Sequence, residues 1–417
     1  MSLMILRVVK ILWEISLLMV LFGLGACDVN PGTESRFAVP ADMAQTTEEQ
    51  DDQQPRYNIL LILADDLGYD HYGFAGHPVV KTPSIDALSN RSIRFPAAYV
   101  SSVCRPTFAT LLTGLPEHRH GTTYIGGPQL GDFLTIADRL TTVGYRSFQA
   151  GKFWEGPQAR HGFTDSAPLG GATGNKKIGR VTIEPVVRFM HDTSAPWFVW
   201  FSPHMPHSPH NAPDRHKASY RDAELDDATL DYFAMISWFD EVVGELLREV
   251  DEDTVILYMA DNGFVQSDWP EVPEEKSKGS SYERGIRTQL LIYHPEYEAV
   301  VRTELSQAVD VTATILAIAG ADYSGLPGRD LLVPYSAEEP AFGSRSSIFA
   351  TDGRESVLEE RWIRVGDWKL VDIENSDSDR LHNLSLDPDE KSNYIVRPEH
   401  ASILAQLRLE LEKKWRE

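Results

Sequence analysis

Apolar residues fall into two patterns along the chain. Tyr57 to Ala64 (Tyr-Asn-Ile-Leu-Leu-Ile-Leu-Ala) is a near-continuous apolar run, as expected of a parallel strand buried on both faces. Thr254 to Ala260 repeats the pattern, and Phe198-Val199-Trp200-Phe201, just after Pro196, is a shorter version. Elsewhere apolar positions recur every three or four residues, so Thr135–Val143 and Leu230–Val250 read as amphipathic helices. Strands alternating with helices predict an α/β domain with a mostly parallel sheet sandwiched by helices. From about Tyr335 the pattern shifts to short strands, Trp362–Val365 and Trp368–Val371, and closes in an amphipathic helix over Ala401–Trp415. This divides the chain into a main domain over 57–334 and a small C-terminal α+β subdomain over 335–417, expected to pack over the main sheet and help shape a cleft.

Two segments precede these domains. Ile15 to Ala26 is almost wholly apolar, with Arg7 and Lys10 before it and Glu14 interrupting on its N-terminal side. The run is short for a membrane span and has the basic start of an export signal. It ends in Leu24-Gly25-Ala26-Cys27, which resembles a bacterial lipobox. That resemblance implies a signal peptide over 1–27, acylation of Cys27 and membrane attachment through it. The protein would then be exported and lipid-anchored, in the periplasm or at the cell surface; an ordinary cleaved signal is the alternative. Residues 28–56, with the acidic run Glu48-Glu49-Gln50-Asp51-Asp52, have little to bury and read as a disordered tether.

Composition narrows the partners. The 417 residues, 42% of them hydrophobic, suffice for a large core. The formal charge of −23 argues against nucleic acid or an anionic membrane surface, and requires any anion site to be local. The chain has two cysteines. If Cys27 is acylated, Cys104 has no disulfide partner, and an unpaired cysteine in an exported protein points to a task.

The chemistry gathers at the strand ends. Tyr57–Ala64 runs into Asp65-Asp66-Leu67-Gly68, and Thr254–Ala260 into Asp261-Asn262-Gly263. In open α/β sheets, ligands bind beyond the carboxyl ends of the strands. Adjacent carboxylates repel unless a cation sits between them, and three carboxylates with an amide suit a hard ion such as Ca²⁺ or Mg²⁺. Cys104 precedes Arg105-Pro106 and an apolar helical run ending at Gly114. Pro106 suits a first helical turn. Cys104 would then stand beside the free N–H groups of a helix start, where a nucleophile is activated and an anion attracted. Ser202 to His210 is rich in proline and reads as a rigid loop at a strand end, with His204, His207 and His210 spaced by three. That spacing admits zinc, although the carboxylate set suits a harder ion.

Taken in order, these motifs resemble the type I sulfatases of the alkaline-phosphatase-like superfamily. The resemblance adds Gly151-Lys152, Pro206-His207-Ser208-Pro209, Lys278-Gly279-Ser280, Tyr282 to Arg287, Leu326 to Leu331 and Gly366 to Leu370, and runs from about Tyr57 to the C-terminus. It implies an alkaline-phosphatase-like fold and hydrolysis of aryl or carbohydrate sulfate esters, with a sulfated small molecule or glycan as substrate. It implies that Asp65, Asp66, Asp261 and Asn262 hold a divalent cation, usually calcium. Cys104 would be converted to formylglycine (3-oxoalanine) by a formylglycine-generating maturation enzyme. Lys152 and Lys278 would bind the sulfate oxygens and the formylglycine hydroxyl. His207 would protonate the leaving oxygen, with His204 the second choice and His210 outside the site.

Two positions depart from that pattern. Phe108 stands four residues after Cys104, where the family has arginine, and Gly151-Lys152-Phe153-Trp154 replaces Gly-Lys-Trp-His. Arg105, His118, Arg119 and His120 are candidates to supply the missing charge, and Glu155 is a further polar group at hand. Two other readings stay open: a phosphodiesterase or phosphonate monoester hydrolase of the same superfamily, and a catalytically inactive lipoprotein that binds sulfated glycans.

Overall fold

The computed structural model describes residues 57–124, 130–167, 176–266, 274–347 and 357–417. The signal peptide, Cys27 and the tether lie outside the described residues.

The apolar runs form the middle of a nine-stranded sheet. Its strands are β1 (Ile59–Ala64), β2 (Ile93–Tyr99), β3 (Arg146–Gly151), β4 (Asp165–Ser166), β5 (Trp197–Ser202), β6 (Val255–Ala260), β7 (Arg287–Tyr293), β8 (Val300–Val301) and β9 (Ser306–Gln307). They lie in the order β4-β3-β5-β1-β6-β7-β2-β8, with β9 also paired to β2. From β4 through β6 every pairing is parallel, whereas β7 runs antiparallel to both β6 and β2. The sheet is therefore mostly parallel, as the alternation of elements predicts.

β1 is wholly buried because both faces are covered. Leu60, Ile62 and Ala64 join one core with Tyr232, Phe239 and Val243 of the helix Asp227–Leu247. Ile59, Leu61 and Leu63 join the other with Phe108, Leu111 and Ile315 from the helices Cys104–Thr113 and Ala308–Ile318. Side-chain alternation along the strand sends successive residues to opposite layers. The long helix begins three residues before its apolar periodicity does. The Asp226 carboxylate accepts the Ala228 and Thr229 N–H groups at 2.9 and 3.0 Å, which caps a polar first turn.

A second, antiparallel sheet follows: β10 (Ala341–Ser347), β11 (Val357–Val365), β12 (Trp368–Ile373) and β13 (Arg380–Asn383), in that order. The helix Ala401–Arg416 buries Leu407 and Leu411 against Ile363, Leu370 and Leu381 of this sheet. A buried ionic cluster joins this sheet to the main one. Glu283, just before β7, accepts from Tyr99 of β2 at 2.8 Å and from Lys369 of β12 at 3.1 Å, with Arg364 of β11 at 3.3 Å.

Candidate active site

The four parallel neighbours β3-β5-β1-β6 each deliver a polar group at the carboxyl end. β1 leads into Asp65 and Asp66, β6 into Asp261 and Asn262, β3 into Lys152, and β5 into the loop carrying His204 and His207. Backbone bonds lock these ends together: Asp65 N–H donates to Met205 O, and Asp261 N–H to Ala64 O, both at 2.9 Å. Asp66 has a left-handed backbone (φ 64°), a conformation that aspartate tolerates better than most residues. Its N–H donates to Asp261 Oδ1 at 3.2 Å. Gly151, before Lys152, has φ 103°, and a Cβ there would lie 2.1 Å from Ser202 O, so only glycine lets β3 cross to β5 this closely.

The nucleophile candidate enters from the side. Cys104 is the first residue of the helix Cys104–Thr113, whose N-cap Val103 is extended and makes no side-chain cap. Its Sγ lies 3.2 Å from Lys278 Nζ. Lys278 sits on a loop whose next residue, Gly279, donates its N–H to Ser102 O at 2.7 Å, which ties the lysine's segment to the cysteine's. Lys278 Nζ also reaches Asp66 Oδ1 at 2.5 Å, and Lys152 Nζ reaches Asp65 Oδ1 at 2.6 Å and Asp261 Oδ2 at 3.6 Å. All eight side chains predicted as site residues are thus brought to one place. The expectation of an activated sulfur is not met: burial is the largest influence on Cys104 and pushes its thiol up to about 12, despite the nearby lysines.

The oxygen ligands satisfy a simple test for a cation. Asp65 Oδ2, Asp261 Oδ2 and Asn262 Oδ1 are buried without a hydrogen-bond partner, although buried polar atoms are nearly always paired. Ligand atoms of Asp65, Asp261 and Cys104 all lie within 4.8 Å of one another. Burial by itself would raise Asp65, but Lys152, His207, Lys278 and His204 reverse this and hold the carboxyl well below the ordinary range. Asp261 goes the other way, because burial and the Asp65 charge outweigh the lysines. A divalent cation would relieve that opposition and take up the free oxygens. Carboxylate and amide oxygens suit a hard ion.

The histidines divide their roles. His204 and His207 stack with ring centroids 4.4 Å apart, their Nε2 atoms each 3.5 Å from an acid, Asp65 Oδ2 and Asp66 Oδ2 respectively. Asp65, His204 and His207 also place ligand atoms within 4.8 Å of one another. Burial pushes His204 down to about 4, so it is neutral at ordinary pH. His207 Nδ1 lies 2.9 Å from Ser208 O. A carbonyl only accepts, so Nδ1 carries a proton and Nε2 is the atom left to exchange one. His210 packs beside Tyr232, 5.3 Å between ring centroids. One contributor has no sequence signature. Arg180, on a short turn between the main elements, hydrogen-bonds the backbone of this loop; it stands in no motif and only the folded chain brings it here.

The two departures from the expected pattern meet each other. Phe108 and Trp154 pack edge to face, centroids 5.2 Å apart, and the Lys152 ammonium lies 4.4 Å above the Trp154 ring and 6.0 Å from that of Phe108. Two positions expected to be polar are thus an aromatic seat for Lys152, attractive through the ring quadrupole. The candidates for replacing the lost charge are turned elsewhere. Arg105 grips Glu155 through two bonds of 2.7 and 2.9 Å, and Glu155 also accepts the Leu130 N–H. His120 bonds Thr110, His118 stacks on Trp415, and Arg119 is exposed.

Known proteins resemble this chain in sequence and in fold. The family model described as Sulfatase matches residues 57–321, and that described as N-sulphoglucosamine sulphohydrolase, C-terminal, matches 277–417. Arylsulfatase A of Homo sapiens is 28% identical over 347 residues, covering 66% of this chain and 66% of that protein, just under two thirds of its length. The N-sulphoglucosamine sulphohydrolase of Homo sapiens is 28% identical over 362 residues, covering 70% and 69%. The crystal structure of Ps i-CgsB with k-i-k-neocarrahexaose superposes with a TM-score of 0.73 at 25% identity, covering 86% of this chain and 93% of that one.

Proposed function

The chain belongs to the sulfatase family, and on that premise we propose that it hydrolyses sulfate esters, with sulfated glycans as the substrate class. One observation carries the reading: two lysine ammoniums and three buried oxygens without hydrogen-bond partners converge on a buried cysteine at a helix start with no side-chain cap. Sulfuryl transfer crowds negative oxygens around sulfur, and fixed positive charge is what stabilises that crowding. The glycan preference is supported by relatives: the N-sulphoglucosamine sulphohydrolase already described and an ulvan-active sulfatase of Formosa agariphila, 23% identical over 429 residues.

In this reading Asp65, Asp66, Asp261 and Asn262 hold calcium, which would polarise the sulfate oxygens. Converted to formylglycine and hydrated, residue 104 would supply one hydroxyl for attack on sulfur and a second to expel the sulfate. The protein's own residues do the rest. Burial opposes charge on Lys152 and Lys278, but Asp65 and Cys104 beside the first, and Cys104 and Asp66 beside the second, more than offset it, so both remain cationic well past neutral pH. They hold sulfate oxygens and the residue 104 hydroxyl. His207 Nε2 faces the site with its second nitrogen anchored, which suits it to deliver a proton to the leaving oxygen. The protonated, buried thiol of unmodified Cys104 is a poor nucleophile, in keeping with a need for conversion by a maturation enzyme. Attachment to a membrane through acylated Cys27 completes the proposal.

The test is hydrolysis by protein purified from its native host. Aryl sulfate should turn over at least tenfold faster than aryl phosphodiester or phosphonate monoester. The reverse order would make it a phosphoester or phosphonate hydrolase, and the solved phosphonate monoester hydrolase of Agrobacterium radiobacter, TM-score 0.70 at 19% identity, shows that the fold does not choose. Calcium binding with no turnover of any ester would make it a binding protein.

A further inference from the structure

Residues 176–182 form a tight turn against the histidine loop. Lys177 O accepts the Val181 and Thr182 N–H groups at 2.8 and 3.1 Å, and Ile178 is buried. Gly179 has φ 81°, and a Cβ on it would lie 2.9 Å from Pro203 Cβ and 3.1 Å from Met205 Sδ, so the turn seats directly on the loop. The next residue, Arg180, spends its whole fork on that loop. Nε and Nη2 donate to His204 O at 3.3 and 2.9 Å, and Nη2 to His207 O at 2.6 Å. Nη1 donates to Pro209 O at 3.0 Å and to Asn211 Oδ1 at 2.5 Å.

Three of these four acceptors are main-chain carbonyls, so the guanidinium fixes the path of the backbone from 204 to 209. That segment carries both imidazoles of the site, and the His207 ring is itself tied to the Ser208 carbonyl within it. A rigid planar fork of charged donors matches four acceptors in a way an ammonium cannot. Loops free to shift by an ångström lose much of what a positioned acid contributes.

We infer that Arg180 is a positioning residue for proton delivery: by clamping the His204 and His207 carbonyls it holds His207 Nε2 where a leaving oxygen departs. The inference rests on the proposed role of His207. A clamp of this kind acts first on the leaving group, because the two lysines that would hold the sulfate stand on other segments. Its loss therefore shows as a change in leaving-group dependence, which a general loss of folding would not produce.

The experiment uses full-length protein with residue 104 converted to the same extent in wild type, Arg180→Gln and Arg180→Lys, assayed by kcat/KM on a series of aryl sulfates. With phenyl sulfate, a poor leaving group that needs a proton, both variants should fall by about 10- to 100-fold. With 4-nitrophenyl sulfate, whose phenolate leaves unaided, the fall should stay under about threefold, with bound calcium unchanged. If Arg180→Gln does not fold, Arg180→Lys carries the same comparison. Equal losses across the series, or wild-type rates in Arg180→Lys, would overturn the inference while leaving the function intact. A wild type inactive on every sulfate ester would instead sink the functional reading beneath it.

Discussion

At the scale of single residues, the convergence of the strand-end acids with Cys104 was legible because their identity and order along the chain carry the chemistry. Asp65, Asp66, Asp261 and Asn262 end two apolar runs, and hydrophobic patterning finds such ends without a structure. What patterning could not supply was direction. Arg105 looked free to serve the nucleophile and instead pairs with Glu155, and Phe108 with Trp154 forms a ring seat below Lys152. The Arg105–Glu155 and Phe108–Trp154 contacts cross 50 and 46 positions of chain and are fixed only by packing. The ligand set yields a direct prediction. Asp261→Ala removes a buried oxygen that has no hydrogen-bond partner, so calcium per chain should drop from about one to near zero and turnover by at least about 100-fold. Calcium is counted by elemental analysis after dialysis. An unchanged calcium content in Asp261→Ala would remove this residue from the metal site.

At the scale of elements, parallel pairing is what assembles the site. β3, β5, β1 and β6 are adjacent and point the same way, so groups separated by up to about 200 residues in sequence emerge at one sheet edge. The two long runs announced β1 and β6. Strand order and the antiparallel placement of β7 were not legible, because pairing is decided between strands and leaves no periodicity within one. The joint between the two sheets was also silent in the sequence: Tyr99, Glu283 and the Arg364–Lys369 hairpin are far from one another and belong to no shared motif. Burial would raise Glu283, but Lys369, Arg364 and Arg287 outweigh it and pull the carboxyl down to about 2, whereas burial and the Glu283 charge push Glu390 up against the pull of Lys369. A depressed carboxyl contributes stability that is present above its unfolded value of 4.5 and is lost as pH falls toward 2. Glu283→Gln should therefore cost about 3 kcal/mol at pH 7 by leaving buried cations uncompensated. Its melting temperature should also fall less steeply than that of wild type between pH 5 and pH 3. Parallel melting curves across that range would show that the cluster does not couple stability to pH.

At the scale of the whole molecule, alternating elements followed by short strands were enough to predict a mostly parallel sheet between helices and a small C-terminal sheet, and both are present. The order of the motifs along one chain made the family recognisable where single motifs were weak. The front end makes its own prediction: native protein should partition into detergent with the membrane fraction, and Cys27→Ser should shift it to the aqueous phase, as followed by phase separation and immunoblotting. Cys27→Ser that remains membrane-bound would refute attachment through that residue. The central claim, a hydrolase whose nucleophile is made from Cys104 at the edge of this sheet, is tested most directly by weighing the peptide that contains residue 104 in protein from the native host, alongside its rate on an aryl sulfate. The account predicts a mass shift from cysteine to formylglycine or its hydrate, a rate proportional to the converted fraction, and no activity in Cys104→Ala. Full turnover by protein carrying an unmodified thiol would contradict it.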